Sequence, residues 1–177
     1  NFLLADKWVL FTANGSYLLD IPTGKLSRYS DLNIKNGAVT KDNKKNVWVH
    51  NYTGHLWYVN VTTGNIKPFQ FLSSEHIGYI DVERYSIVHD SRDIIWITTY
   101  GNGLYAYELA TGDLQHFTFD IGQSSHINSN YLQYVMEDRS GGIWVSSEFS
   151  GLSHLEILNK GTQRLHPSGE NSSDRSN

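Results

Sequence analysis

The sequence predicts an all-β fold that repeats one antiparallel unit of four short strands. The first observation is a tryptophan that returns at spacings of 40, 48 and 48 residues, each time within a short β-prone run. The second is that aspartate, glycine and aromatic residues recur at fixed distances from it. The repeated tryptophans are Trp8, Trp48, Trp96 and Trp144. A period of this size with regularly placed turn residues is typical of the blades of a β-propeller.

The strands of each unit follow from the residues around the tryptophan. A first strand with a β-branched residue ends at Asp42, Asp90 or Asp138 in three of the four copies. Turn residues follow each aspartate, and the tryptophan run then forms the second strand. An aromatic residue, which is Tyr29, Phe69 or Phe117, ends the fourth strand.

Glycines mark the other two turns of the unit. After the second strand the glycines are Gly15, Gly54, Gly103 and Gly151. Between the third and fourth strands, Thr-Gly pairs place Gly24, Gly64 and Gly112. Glycine suits these positions because it reaches positive φ without steric cost.

The repeat divides the chain into four units and a tail. We expect a partial first blade at 1–35, blades at 36–80, 81–128 and 129–167, and a polar tail at 168–177. Phe2 stands where the other copies have aspartate, so we expect the first copy to lack its opening strand. Its inner edge would then be unpaired and open to self-association. Fewer than four complete blades predict an open arc from a propeller of about seven blades.

Composition argues against several classes of function. The net charge is −4, and the only lysine cluster falls in a predicted turn, so we expect no nucleic-acid contact. No apolar run approaches the roughly 18 residues of a membrane span. The chain contains no cysteine, and its eight histidines form no metal-binding motif. We therefore predict no metal and no cofactor.

Two segments resemble a known family. Asp90 to Phe117 and the first half of the next copy, Asp138 to Leu155, are similar to the two-component regulator propeller repeat, with Asp-x-x-x-x-Ile-Trp followed by Gly-Leu-Tyr-x-Tyr. Ser153 replaces the family's usual tyrosine. The resemblance implies the periplasmic sensor of a hybrid two-component system of Bacteroides-type bacteria. In that family a membrane helix, a histidine kinase and a DNA-binding regulator follow, and the ligands are glycan breakdown products.

Binding residues are expected in the connections rather than among the repeated tryptophans, which we predict to pack between blades. The connections between second and third strands share one face with those into the next blade. Tyrosine, phenylalanine, histidine and asparagine on that face would suit an oligosaccharide. The candidate residues are Tyr52, His76, Tyr79, Tyr100, Asn102, His126 and Phe149.

Two other classes of function stay open. A propeller lyase of the streptogramin-lyase type needs a histidine and a carboxylate that meet at one end of the central channel. The pairs Glu75 with His76 and Glu148 with His126 could take that role, although their spacing does not single them out. A propeller that binds only other proteins is the third class, and no catalytic motif argues against it.

Overall fold

The computed structural model describes residues 2–4, 7–12, 14–30, 38–50, 55–60, 62–70, 86–122, 126–158 and 161–164. In these ranges the chain forms strands and turns, and no helix there is long and apolar enough to cross a membrane. The strands form four separate antiparallel sheets, and each strand pairs with its neighbours in the chain. The prediction of an all-β fold built from four-stranded units is confirmed.

Each sheet follows the order of the chain. The first contains β1 (Phe2–Leu4), β2 (Lys7–Thr12), β3 (Gly15–Asp20) and β4 (Leu26–Ser30). The second contains β5 (Ala38–Lys41), β6 (Val47–His50), β7 (His55–Val59) and β8 (Ile66–Gln70). The third contains β9 (Ile87–His89), β10 (Ile94–Thr98), β11 (Leu104–Glu108) and β12 (Leu114–Phe117). The fourth contains β13 (Leu132–Glu137), β14 (Ile143–Ser147), β15 (Leu152–Leu158) and β16 (Gly161–Arg164).

The first sheet corrects one expectation. Residues Phe2–Leu4 form β1, which pairs with β2 from Phe2 opposite Val9 to Leu4 opposite Lys7. The first copy therefore has its opening strand, and the prediction that the strand before Trp8 is missing is wrong. Strand pairing uses backbone groups, so the missing aspartate did not prevent it. Self-association through exposed sheet edges stays a prediction.

An aspartate organises the first hairpin of the other three sheets. The Asp90 carboxylate accepts hydrogen bonds from the backbone N–H groups of Arg92 and Ile94, both at 2.9 Å. Its second oxygen accepts a hydrogen bond from the Trp96 indole at 2.9 Å. Asp42 and Asp138 make the same three contacts, with the indoles of Trp48 at 3.3 Å and Trp144 at 2.7 Å. The aspartate thus fixes both the turn and the tryptophan.

The Asp138 carboxylate remains ionised well into acid. Hydrogen bonds from Ser140 and from the Trp144 indole hold the pKa of Asp138 far below its ordinary value.

The third residue after each aspartate has a left-handed backbone, with φ of 64° at Lys45, 64° at Asp93 and 86° at Gly141. Each hairpin therefore takes the same turn, although only the fourth sheet uses glycine there.

Apolar clusters join neighbouring sheets face to face. One cluster places Trp48 and Leu56 of the second sheet against Ile95 and Ile97 of the third. Another places Trp96 and Leu104 of the third sheet against residues of the fourth that include Val135, Ile143 and Val145. A third packs Tyr29 of the first sheet against the valines of the second. Among the described residues none of these clusters links the first sheet to the fourth, as expected for an open arc.

Polar contacts reinforce the junction of the third and fourth sheets at the hairpin end. The Arg92 guanidinium donates to the Gly141 carbonyl oxygen at 2.7 Å. The Glu137 carboxylate accepts a hydrogen bond from the Ser91 backbone N–H at 2.8 Å. The two hairpins are therefore held side by side, which keeps the sheets in register for the apolar contact.

The prediction that the repeated tryptophans are largely buried between sheets holds for two of the four copies. Trp48 and Trp96 are 4% and 1% exposed, whereas Trp144 is half-buried. Trp8 is 39% exposed, so the expectation that it is largely buried is wrong. The sequence has no aspartate six residues before Trp8, and Phe2 at that distance pairs with Val9 in the strand ladder. All four tryptophans lie on the second strand, as predicted.

We expect Asp90→Ala to lower the free energy of unfolding by about 3 to 5 kcal/mol, because it leaves a buried indole and two backbone donors without an acceptor. The matched control is Asp42→Ala. Asp42 is more exposed than Asp90, and the hydrogen bond that it accepts from the Trp48 indole is longer. Removing the Asp42 carboxylate should therefore lower the free energy of unfolding by only about 1 to 2 kcal/mol. Urea unfolding followed by tryptophan fluorescence measures both values. An equal cost in the two variants would contradict the assigned role of the buried acceptor.

Candidate functional site

Three connections meet at the end of the third and fourth sheets that lies opposite the aspartate hairpins. The backbone N–H groups of Gly101 and Gly103 donate to the Asn130 carbonyl oxygen at 2.9 and 3.0 Å. The Glu148 N–H donates to the Tyr131 carbonyl oxygen at 3.1 Å. The connections are 99–103, 118–131 and 148–151. Backbone hydrogen bonds therefore join them into one surface across two sheets.

Tyr100, Tyr131 and Glu148 contact one another on this surface, and the exposed Phe149 follows Glu148 in the chain; we call these four residues the Tyr100 cluster. The Tyr100 and Tyr131 rings meet edge to face with centroids 5.1 Å apart. The Tyr100 hydroxyl donates a short hydrogen bond to the Glu148 carboxylate. Phe149 is 80% exposed and Tyr131 46% exposed. The cluster thus presents aromatic surface to solvent beside an anchored carboxylate.

Asn102 is engaged in the fold rather than in this cluster. Its side-chain amide nitrogen donates to the Tyr105 hydroxyl oxygen at 2.6 Å, and its backbone carbonyl oxygen accepts from His116 Nε2 at 2.7 Å. The Tyr105 and His116 rings stack 4.1 Å apart. Burial raises the pKa of Tyr105 to about 12, which keeps the phenol neutral at physiological pH. These contacts fix the 99–103 connection against β11 and β12.

His126 and Asn128 also contact the protein itself. The His126 ring lies edge-on to Phe117 at 5.5 Å between centroids. The Asn128 side-chain amide donates to the carbonyl oxygens of Ser150 at 2.5 Å and Leu152 at 3.3 Å. His126 thus packs the 118–131 connection against the third sheet, and Asn128 attaches it to the fourth. The predicted face is therefore polar and aromatic, but part of that chemistry holds the connections in place.

Four of the residues named in the sequence analysis lie outside the described residues. They are Tyr52, Glu75, His76 and Tyr79. Tyr131 is a residue that the sequence analysis missed, although its position directly after the Ser-Asn end of a long connection was visible. Tyr131 contacts Tyr100 of the neighbouring sheet. Spacing along the sequence does not show which residues of two different sheets will meet.

The glycines of this surface have different roles. Gly103 and Gly151 both have a left-handed backbone, with φ of 75° and 73°. A Cβ atom at Gly103 would lie 2.2 Å from the Phe117 carbonyl oxygen, whereas a Cβ atom at Gly151 would meet nothing within 4 Å. Gly103 is therefore required by close packing, and Gly151 by its backbone angle alone. The turn glycines Gly24, Gly64 and Gly112 also have positive φ, as predicted.

One histidine beside the surface is deeply buried. His50 ends β6 and is 1% exposed. Burial, with a smaller effect from the charge of His55, lowers the pKa of His50 to about 3. Within the residues that the structure describes, no three histidine, aspartate or glutamate side chains gather as a metal site would require. His50 therefore acts as a neutral core residue near neutral pH.

The two glycines give a matched pair of variants. We expect Gly151→Ala to cost about 1 to 2 kcal/mol, the strain of a left-handed alanine. Gly103→Ala should cost at least about 3 kcal/mol, because the carbonyl contact adds to the same strain. Thermal and urea unfolding check the difference. Similar costs for the two variants would contradict the close approach of Phe117.

The pKa of His50 predicts acid sensitivity. The unfolded chain binds a proton at this residue near pH 6.5, and the folded chain only near pH 3. Between these values the unfolded state carries the extra proton, so the free energy of unfolding falls as the pH falls. The unfolding equilibrium constant should rise by up to about tenfold per pH unit in that window. His50→Leu should remove this part of the slope in urea titrations from pH 7 to pH 4; identical slopes would contradict it.

Structural comparison connects this fold to known proteins. The extracellular domain of a protein assigned as a hybrid two-component system of B. thetaiotaomicron aligns with a TM-score of 0.64 at 22% identity, covering 84% of this chain and 19% of that one. The extracellular domain of a second such system from the same organism aligns with a TM-score of 0.61 at 16% identity over 85% of this chain and 19% of that one. The chain thus spans about a fifth of each of these relatives.

A lyase shares the fold as well. Streptogramin B lyase aligns with a TM-score of 0.58 at 15% identity, covering 81% of this chain and 44% of that protein. No protein-family model matches the sequence. No curated protein matches it either. At these identities the comparisons establish the fold alone, and the chain has the propeller-type architecture of two-component extracellular domains and of a lyase.

Proposed function

We propose that the chain belongs to the extracytoplasmic ligand-sensing propeller of a hybrid two-component sensor histidine kinase, and that it detects an oligosaccharide. The Tyr100 cluster is the observation that carries the proposal. Exposed aromatic rings next to a carboxylate offer stacking surface for a sugar ring and an acceptor for its hydroxyl groups. The likeness to extracellular domains of hybrid two-component systems supports the sensory context.

The geometry of the cluster suits a sensor because it crosses a junction between sheets. Tyr100 belongs to the third sheet and Glu148 to the fourth, and they are hydrogen-bonded to each other. A ligand that contacts both would stabilise one arrangement of the two sheets. In the proposed parent protein such a bias is passed across the inner membrane to the kinase and then to a DNA-binding regulator.

A lyase is the second candidate because streptogramin B lyase shares the fold. That reaction needs a histidine paired with a carboxylate. Among the described residues, Glu148 accepts its hydrogen bond from Tyr100, and the His126 ring lies against Phe117. We favour binding without catalysis, because the aromatic contact of Tyr100 with Tyr131 and the hydrogen bond of Tyr100 to Glu148 suit a ligand surface.

Phe149→Ala tests the binding surface with little disturbance to the fold. Neutral, amino and uronic oligosaccharides are screened against the protein by saturation-transfer NMR, which detects weak binding. We expect Phe149→Ala to weaken binding about tenfold, equivalent to about 1.4 kcal/mol. The free energy of unfolding should change by no more than about 0.5 kcal/mol, because the side chain is mostly exposed.

Ile21→Ala is the matched control. Ile21 is an exposed apolar residue in the turn between β3 and β4, at the opposite end of the strands. The Ile21→Ala substitution should leave oligosaccharide binding unchanged. A screen without any bound oligosaccharide, or equal binding by the protein and Phe149→Ala, would contradict the proposed site.

A further inference from the structure

We propose that the Tyr100 cluster selects a ligand that carries a positively charged amino group. In the proposed oligosaccharide this group belongs to an amino sugar, which the cluster prefers to a neutral sugar or a uronic acid. The inference rests on the proposed function, because it assigns the ligand chemistry of the same surface. It follows from the charged residues of the three connections and from the contacts that Glu148 makes with Tyr100 and Tyr131.

The three connections that form this surface contain acidic side chains but neither lysine nor arginine. The acidic residues are Asp120, which is exposed, and Glu148, which is half-buried. A uronic acid would bring a further carboxylate to this surface, and the connections supply no lysine or arginine to pair with it. A protonated amine brings the opposite charge and is attracted. Charge on the connections therefore favours an amino sugar over a uronic acid.

The carboxylate of the cluster lies beside aromatic rings. The Tyr100 hydroxyl donates to the Glu148 carboxylate, and the Tyr100 and Tyr131 rings meet with their planes at 76°. The Glu148 N–H donates to the Tyr131 carbonyl oxygen at 3.1 Å, so Glu148 is tied to both tyrosines. The face of an aromatic ring is electron-rich and attracts a cation. An ammonium group therefore gains from the carboxylate and from the rings, whereas a neutral hydroxyl group lacks the charge that both attract.

Glu148 departs from the repeat, and the turn that contains it does not require a carboxylate. The fourth residue after the tryptophan is tyrosine in the second and third copies, and glutamate in the fourth. Thr99 and Ser147 close the turns of the third and fourth sheets in the same way. Each donates from its backbone N–H and its hydroxyl to a glycine carbonyl oxygen, that of Gly103 or Gly151. What Glu148 adds is a negative charge next to the tyrosine of the preceding copy.

Two matched pairs of probes test this selectivity. Tetramers of glucosamine and of N-acetylglucosamine share length and linkage, and at mildly acidic pH only the first carries protonated amines. Choline and its uncharged isostere, in which carbon replaces the quaternary nitrogen, test the surface without a sugar. We expect each charged probe to bind at least about fivefold more tightly than its neutral counterpart in NMR titrations. Added salt should reduce this preference, because it screens the charge of Glu148.

Three variants locate the origin of the preference. Glu148→Gln keeps the size of the side chain and an oxygen that can accept from Tyr100, and it should reduce the preference to about twofold or less. Tyr131→Leu keeps an apolar side chain without a ring and should reduce the preference by about twofold. The matched control is Asp113→Asn, which removes the same charge from the exposed turn between β11 and β12, at the opposite end of the strands. It should leave the preference unchanged. Urea unfolding verifies that each variant is folded.

The outcomes separate this inference from the proposed function. If neither charged probe is preferred, or if the preference survives in folded Glu148→Gln, the selectivity for an amino group is overturned. Binding of the N-acetylglucosamine tetramer that Phe149→Ala weakens, without any preference for the amine, would overturn the selectivity and leave the oligosaccharide site in place. If no tetramer binds but choline is preferred to its isostere in a way that needs Glu148, the oligosaccharide proposal fails and the selectivity for an amino group holds.

Discussion

The hydrogen bond from a tryptophan indole to an aspartate six residues earlier is the contact on which each regular sheet depends. One carboxylate closes a hairpin through two backbone N–H groups and also fixes the ring that fills the space to the next sheet. Turn geometry and packing between sheets are thereby linked through a single side chain. The first sheet shows the alternative, since no aspartate stands six residues before Trp8 and Trp8 is the most exposed of the repeated tryptophans.

This arrangement separates the two ends of the strands. The hairpin end is constrained, because Arg92 and Glu137 tie consecutive hairpins together. The opposite end contains longer connections, which contact one another mainly through backbone groups and asparagine side chains. Such connections can vary in sequence without disturbing the sheets. The placement of exposed aromatic residues at that end follows the general division between a rigid scaffold and functional loops.

Packing between sheets has a direction. In the second and third sheets, the face that carries the repeated tryptophan is covered by the opposite, β-branched face of the sheet that follows. A unit of this kind buries one face against each neighbour, so its stability depends on the adjacent units. The Tyr100 cluster also crosses a junction between sheets, because Tyr100 and Glu148 belong to connections of different sheets.

The sequence by itself determined the repeat, the strand order and the turn glycines, because these follow from local spacing and backbone preference. Strand β1 shows the limit of this approach: Phe2–Leu4 pair through backbone groups that no side-chain pattern reports. The candidate face was also identified from sequence, but the roles within it were not. Asn102 was a candidate sugar-binding residue, and tertiary contacts engage it in holding a connection, as they do Asn128. Only the tertiary structure brought Tyr100, Tyr131 and Glu148 together, because residues on different sheets meet through packing, which local sequence does not encode.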